Sequence, residues 1–83
     1  MKVQEIKKGA ADIKRGLVMM AIEGEESRCE KLAKHMYTAY GYRDTSCADE
    51  GDKEGDLVIY FVIDRDEVEH FRASFKAAKK EIK

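Results

Sequence analysis

Apolar residues near the start of the chain have the spacing of one helical face. Five of them recur at steps of three and four positions: Val3, Ile6, Ala10, Ile13 and Leu17. The basic pair Lys14 and Arg15, followed by Gly16, is typical of a helix C-terminus, where cations are favourable and glycine adopts a left-handed conformation. The pattern therefore predicts an N-terminal helix that ends near Gly16.

The apolar run from Leu17 to Ile22 is compatible with two structures. Its short length suits a buried strand. However, Leu, Met and Ala favour helices, and Met20 continues the helical spacing from Leu17. A strand and a helix that continues to Glu23 both remain open at this point.

A second helix is predicted between two terminal signals. Ser27 and Glu30 have the spacing of a capping box, in which each side chain accepts a hydrogen bond from a backbone N–H of the first turn. Gly41 stands where a C-terminal cap belongs. The apolar positions between these signals share one helical face: Cys29, Leu32, Ala33, Met36, Tyr37 and Tyr40.

Two strands of unequal strength are predicted after this helix. Residues 42–47 are a weak candidate, whereas Leu57 to Ile63, a run of β-branched and aromatic residues with one leucine, is the strongest strand pattern in the chain. Because this second run is apolar without interruption, we expect both of its faces to be covered. The residues between the strands, Ala48 to Asp56, are rich in Gly and acid and predict a hairpin loop.

Asp64 and Glu67 have the spacing of another capping pair and precede the last predicted helix. The apolar residues of this helix share one face: Val68, Phe71, Phe75, Ala78 and Ile82. The capping pair and the apolar face together predict a helix that runs to the end of the chain.

The order of these elements predicts an α+β fold, an N-terminal helix followed by β-α-β-β-α with a small, mainly antiparallel sheet. The strand Leu57 to Ile63 would be central, the second and third helices would cover one face of the sheet, and the N-terminal helix would cover the other. The alternative is α-α-β-β-α, with two helices, a β-hairpin and a C-terminal helix. We detect no internal repeat in the sequence.

Length and composition predict a single small globular domain over residues 1–83. A chain of 83 residues buries only about 60% of its unfolded surface, which leaves no room for a second core. No apolar stretch approaches the roughly 20 residues that span a membrane, and none resembles a signal peptide. Two cysteines are too few for a disulfide framework. We therefore expect a cytoplasmic protein with reduced thiols and no membrane partner.

The formal net charge is only −1, but the charges are unevenly distributed along the chain. Six carboxylates surround the predicted hairpin loop, and we call them the acidic hairpin: Asp44, Asp49, Glu50, Asp52, Glu54 and Asp56. An EF-hand that began at Glu50 would need glutamate at its twelfth position, where Phe61 stands, so a calcium loop is not predicted. Two interpretations remain, a solubilising loop and a docking surface for a basic patch on another protein.

The last predicted helix carries a stripe of cations that suggests anion binding: Arg72, Lys76, Lys79, Lys80 and Lys83. Like charges four positions apart destabilise a helix, although the negative helix C-terminus compensates for them. A second basic set lies near the N-terminus: Lys7, Lys8, Lys14 and Arg15. Together the two sets make nucleic-acid binding the alternative function, against which the balanced pI of about 6.1 and the acidic hairpin weigh.

Four residues of the last helix are predicted to lie opposite its Phe face: His70, Ala73, Ser74 and Ala77. Small side chains allow another helix to approach closely, so this face is a candidate homodimer or partner surface. The alternative is that alanine simply favours the helix.

No motif for bond-making chemistry is present in the sequence. The potential ligands Cys29, His35, Cys47 and His70 lack the paired spacing of a structural zinc site. Phosphate-binding glycine loops and nucleophile elbows are absent as well. We therefore predict no enzyme activity, no cofactor and no metal.

Charge and shape remain as the basis for function. We expect a non-enzymatic interaction module whose acidic hairpin docks on a basic surface of another protein. If that surface normally binds nucleic acid, the module would be an inhibitor, by analogy with small acidic proteins of phages and other mobile elements.

Overall fold

The computed structural model describes residues 1–6 and 16–82, which form a four-stranded antiparallel sheet and two helices. The elements are β1 (Lys2–Ile6), β2 (Leu17–Glu25), α1 (Glu26–Tyr40), β3 (Asp44–Glu50), β4 (Asp56–Asp64), a 3-10 turn (Arg65–Glu67) and α2 (Val68–Glu81). Their order along the chain is β-β-α-β-β-α, and the strands lie in the order β1-β2-β4-β3. The fold is therefore α+β.

The predicted N-terminal helix is wrong where the structure describes it. Lys2–Ile6 is the edge strand β1, and Val3 lies opposite Ile22 of β2. A spacing of three between Val3 and Ile6 fits a helix, but these five residues also fit a strand that completes the hydrogen bonding of β2. Ala10 and Ile13, which made the helical pattern longer, lie outside the described residues. The alternative order with two leading helices is wrong as well, because Leu17–Glu25 is a strand.

Of the two long strands at the centre of the sheet, β4 was predicted, whereas strand and helix had both been left open for the run that begins at Leu17, and the structure shows that this run is the strand β2. Leu57 to Ile63 lies within β4, which pairs with β2 on one side and β3 on the other. Met20 lies opposite Phe61 and Ile22 opposite Ile59, so these side chains share one face of the sheet. This face packs against α1 and α2 in a single core.

An aromatic cluster ties the helices to the sheet. The ring of Phe71 on α2 packs edge-to-face on Phe61 of β4 and on Tyr42, with ring centroids 5.1 and 5.0 Å apart. Both described helices contribute to the core on this side. The face of β4 that carries Val58, Tyr60 and Val62 is therefore not covered by either helix, contrary to the expectation that a helix would cover each face.

The ends of α1 show one correct and one incorrect capping prediction. Gly41 has φ 79°, and the N–H groups of Gly41 and Tyr42 donate to the carbonyls of Tyr37 and Met36, as expected for a glycine C-cap. At the other end, Glu25 caps the helix in place of Ser27 and Glu30, because its carboxylate accepts from the Ser27 and Arg28 N–H groups. Asp64 makes no side-chain cap at the 3-10 turn.

The two halves of the chain repeat one ββα unit. The strands β2 and β4 each have nine residues, and each is followed directly by helical structure. Ile22 and Phe61 are equivalent by position in these strands, and both are buried. The repeat is absent from the sequence because a buried position of this kind requires an apolar side chain rather than a particular one.

Candidate functional site

The acidic hairpin is the β3–β4 hairpin, and its turn is shorter than predicted. Only residues 51–55 separate the two strands. Ala48, Asp49 and Glu50 belong to β3 and pair with Ile59, Val58 and Leu57. The expected loop from Ala48 to Asp56 is therefore wrong at both ends, because an edge strand tolerates acidic side chains that point to solvent.

The structure adds carboxylates that the sequence reasoning did not include. The N–H of Glu26 donates to the carbonyl of Gly55 at 3.0 Å, which joins the turn to the first residue of α1. Glu25 lies opposite Asp56 in the β2–β4 pairing. We call the combined surface the acidic end, and its residues are Glu25, Glu26, Glu50, Asp52, Glu54 and Asp56. The sequence shows two consecutive glutamates, Glu25 and Glu26, at the start of a helix. It does not show that the turn at Gly55 lies beside them.

The buried carboxylate of Glu23 anchors the turn between β3 and β4. Glu23 is only 8% exposed, and its Oε2 accepts from the Asp52 N–H at 2.9 Å. The ammonium of Lys2 lies 3.5 Å from Glu23 Oε1 and 3.5 Å from Asp52 Oδ2. Attraction to Glu23 and then to Asp52 raises the pKa of Lys2. These contacts hold Asp52 at one position in the turn.

Two members of the acidic hairpin lie away from the acidic end. Asp44 begins β3 and accepts from the Ser46 N–H at 2.8 Å, beside a bulge in which Ser46 has φ 66°. Asp49 accepts from the Tyr60 hydroxyl at 2.7 Å, and this hydrogen bond raises the pKa of Tyr60. Both carboxylates therefore have partners within the fold.

A groove of about 350 Å³ lies between α1 and the start of β3. Ala33 and Ile59 supply apolar surface, and the side chain of Tyr37 is 48% exposed. The Arg43 guanidinium lies 5.2 Å from the centre of the Tyr37 ring and donates to its hydroxyl at 3.1 Å. Tyr37 was expected on the apolar face of its helix, but it lines this groove. The groove has the size and surface to accept an apolar side chain.

The cations of α2 remain separate from the acidic end. Arg72, Lys76 and Lys80 are exposed, and Lys79 lies over the Phe75 ring at 5.4 Å. Within residues 1–6 and 16–82, the acidic end forms an ion pair only with Lys2, and no α2 cation takes part in one. The other basic residues of the nucleic-acid alternative lie outside the described part of the chain: Lys7, Lys8, Lys14, Arg15 and Lys83.

The candidate partner face of α2 is not one exposed surface. Ser74 is 4% exposed and belongs to the buried side of the helix, which corrects its predicted position. His70 is exposed, and its Nδ1 lies 2.6 Å from the Tyr42 hydroxyl. Ala73 is exposed and Ala77 is half-buried. Phe71, Phe75, Ala78 and Ile82 are buried as predicted. Ser74 lies on this same side because it is three positions after Phe71.

The cysteines and histidines do not converge. Cys29 is buried, its thiol donates to the Leu57 carbonyl at 3.4 Å, and burial raises the pKa of the thiol to about 11. Cys47 is exposed on β3. His35 contacts Glu81, whereas His70 contacts Tyr42. Among the described residues there is no group of three or more metal-ligating side chains that could hold an ion.

A polar contact between α1 and α2 gives the stability of the fold a pH dependence. His35 Nε2 lies 2.8 Å from Glu81 Oε1, and the Tyr40 hydroxyl donates to the same oxygen at 2.8 Å. The hydrogen bond from His35, followed by that from Tyr40, lowers the pKa of Glu81 below its ordinary value of 4.5. Because the folded-state pKa is lowered, the stabilisation is present above pH 4.5 and is lost as the pH falls through the folded-state value.

We expect Glu81→Gln to reduce this dependence. The difference in the free energy of unfolding between the wild type and the variant should be largest above the ordinary carboxyl pKa of 4.5 and should shrink as the pH falls through the lowered pKa of Glu81. Urea unfolding at a series of pH values measures it. Glu54→Gln, in the exposed turn, is the control and should follow the wild-type curve. A Glu81→Gln difference that stays constant across this range would contradict the prediction.

Comparison with family models, with curated proteins and with solved structures finds no match to this chain. Neither of the two described helices is long and apolar enough to cross a membrane. The geometry of the acidic end and of the groove is therefore the basis for a functional conclusion.

Proposed function

We propose that this protein is a non-enzymatic interaction module that binds a basic surface of another protein through its acidic end. The hydrogen bond between Glu26 and Gly55 carries the proposal, because it joins the carboxylates of the turn and of α1 in one surface. The carboxylates of this surface would attract lysines and arginines of a partner over roughly one Debye length, about 8 Å at physiological ionic strength.

The groove beside α1 supports the same function with a different kind of contact. Exposed charges accelerate association, but they contribute little affinity on their own. Tyrosine and arginine are frequent in the energetic centre of protein interfaces, and here Tyr37 and Arg43 pack together at the rim of an apolar groove. An apolar side chain of the partner would enter this groove. If the partner's basic surface normally holds nucleic acid, the bound module would compete with phosphates and inhibit that protein.

A charge-matched pair of variants tests the proposal. A partner is captured from the organism that encodes the chain, and its affinity is measured by calorimetry at low and high salt. The triple variant E50Q/D52N/E54Q is expected to bind roughly tenfold or more weakly, because three charges facing the partner are removed. The control D64N/D66N/E69Q removes three exposed carboxylates elsewhere and should stay within about threefold of the wild type.

The same variants distinguish protein binding through the acidic end from nucleic-acid binding through α2. Affinity that is unchanged in E50Q/D52N/E54Q, or that is insensitive to salt, would contradict the role of the acidic end. Recovery of no partner at low salt would count against it as well. A mobility shift with duplex DNA or single-stranded RNA that is lost in R72Q/K76Q/K80Q would instead support nucleic-acid binding through α2.

A further inference from the structure

The strand β3 has one paired and one unpaired edge. Within the described residues it pairs only with β4, and the strand order places it at the margin of the sheet. The N–H of Gly51, which follows β3, donates to the Asp56 carbonyl at 3.0 Å. Backbone groups of successive residues in an antiparallel strand point alternately to one side and to the other. The backbone groups of Asp49 therefore face β4 as well, whereas those of Ala48 and Glu50 point away from the sheet.

The groove beside α1 lies next to this unpaired edge. Ala48 lies opposite Ile59, and Glu50 lies opposite Leu57. Because directly opposite residues share one face of a sheet, the side chains of Ala48 and Glu50 are on the side that carries the helices. Both residues are nevertheless exposed, since α1 packs on β2 and β4 rather than on β3. Ile59 also lines the groove, so a strand added beside β3 would have apolar surface within reach.

We propose that β3 binds an extended segment of a partner protein as a fifth strand, antiparallel to β3, with a basic residue opposite Glu50 and an apolar residue opposite Ala48. This inference rests on the proposed function and specifies the form in which the partner presents its basic surface. Unpaired N–H and C=O groups at a sheet edge are a template for such pairing, and antiparallel pairing continues the pattern of the sheet. Ala48 and Glu50 together supply two donors and two acceptors.

The spacing of the two partner residues follows from the pairing. Side chains on one face of a strand are two positions apart, and an antiparallel partner runs in the opposite direction to β3. The residue opposite Glu50 therefore comes two positions before the residue opposite Ala48. The segment reads basic, any residue, apolar. Because the side chain of Ala48 is small, the apolar residue would have room to lean towards the groove, where Ala33 and Tyr37 lie.

Charge complementarity selects a basic segment. Glu50 is exposed on β3, and the exposed Glu30 of α1 lines the groove one turn after Glu26 of the acidic end. Opposite charges in directly opposite positions of a sheet stabilise the pairing, whereas like charges destabilise it. The β3 strand of a second copy is disfavoured as the occupant for the same reason, because it carries Asp49 and Glu50 itself.

The free part of the edge is short, which limits the affinity of a peptide. Nearer the start of β3, the Ser46 N–H donates to the side chain of Asp44. The Cys47 N–H donates to the side chain of Thr45. Ser46 also has φ 66° within the bulge, so a partner strand pairs with residues 48–50, a length of about 10 Å. We therefore expect a dissociation constant of roughly 0.1–1 mM for an isolated peptide.

A synthetic peptide and two N-methyl derivatives test the mode of binding. The peptide acetyl-Thr-Lys-Thr-Ile-Thr-Thr-amide is titrated into the isotope-labelled protein, and NMR shifts report the affinity. N-methylation of the isoleucine removes the donor that would point at the Ala48 carbonyl and should weaken binding roughly tenfold or more. N-methylation of the threonine between lysine and isoleucine is the matched control. The N–H of this threonine would face away from β3, so the affinity should stay within about threefold of the parent peptide.

An exchange of charges tests the register. Glu50→Lys should bind the parent peptide roughly tenfold or more weakly, because like charges become opposite. A peptide with glutamate in place of lysine should bind this variant within about threefold of the wild-type affinity for the parent peptide. Glu54→Lys makes the same change of charge in the turn and should retain the preference for the lysine peptide. Circular dichroism confirms that both variants fold.

Amide hydrogen exchange distinguishes failure of this inference from failure of the proposed function. With the captured partner at about ten times its dissociation constant, the Ala48 and Glu50 N–H groups should exchange roughly tenfold more slowly. The Asp49 N–H, which faces β4, should change far less. If the partner binds E50Q/D52N/E54Q more weakly but leaves the Ala48 and Glu50 amides unprotected, the proposed function stands and the added strand is excluded.

The peptides give the complementary outcomes. Equal binding of the two N-methyl derivatives overturns the inference, and so does the absence of NMR shifts at about 5 mM parent peptide. Protection of the Ala48 and Glu50 amides by the parent peptide, together with unchanged partner affinity in E50Q/D52N/E54Q, would instead support the strand site and contradict the proposed function.

Discussion

Phe71→Ala is expected to lower the free energy of unfolding by about 3–5 kcal/mol, the largest effect that we expect from a single substitution. Phe71 has no exposed surface and contacts both Phe61 and Tyr42, so it joins α2 to the centre of the sheet and to the segment between α1 and β3. Truncation removes these contacts and leaves a cavity that helices on a rigid sheet close only in part.

The size of the protein makes this loss severe. A domain of 83 residues has a total stability of roughly 4–12 kcal/mol, so the variant should be partly unfolded near room temperature if the stability lies at the lower end. Urea unfolding followed by circular dichroism measures the change. Tyr37→Ala is the matched control, since this half-exposed ring should cost less than about 1 kcal/mol. Equal losses in the two variants would show that the core is not organised around Phe71.

Glu23→Ala is expected to destabilise the β3–β4 hairpin by about 1–3 kcal/mol. The substitution removes the acceptor of the Asp52 N–H and one of the two carboxylates that attract Lys2. Glu23→Gln is the conservative control, because its amide oxygen still accepts from the Asp52 N–H while the attraction between residue 23 and Lys2 is lost. The difference between the two variants therefore separates the hydrogen bond from the charge.

Amide hydrogen exchange gives the local readout of this prediction. The Asp52 N–H should exchange roughly tenfold or more faster in Glu23→Ala than in Glu23→Gln, while amides in α2 should be affected far less. Binding of a partner at the acidic end should weaken in Glu23→Ala as well, because the turn that presents Asp52 and Glu54 is no longer held. Unchanged Asp52 exchange in Glu23→Ala would exclude an anchoring role for this carboxylate.

The candidate site was predictable only in part. The cluster of acidic residues before Leu57 is visible in the sequence, and four of its six members reach the acidic end. Glu25 and Glu26 join them through the contact between Gly55 and α1, which links positions that are distant along the chain. Asp44 and Asp49 are held elsewhere by Ser46 and Tyr60. Local composition predicts charge, whereas the neighbours of a charge depend on strand pairing.

By itself, the sequence determined the helices α1 and α2, because their apolar residues recur at helical spacing over many positions. It also determined the central strand β4, because the uninterrupted apolar run there is short and consists mainly of β-branched and aromatic residues. Only the tertiary structure decided that Lys2–Ile6 is a strand, since five residues fit either period and the pairing with β2 selects one. It also decided that both described helices lie on one side of the sheet. Which face of a sheet remains open depends on the packing of whole elements, and no local pattern of side chains specifies that packing.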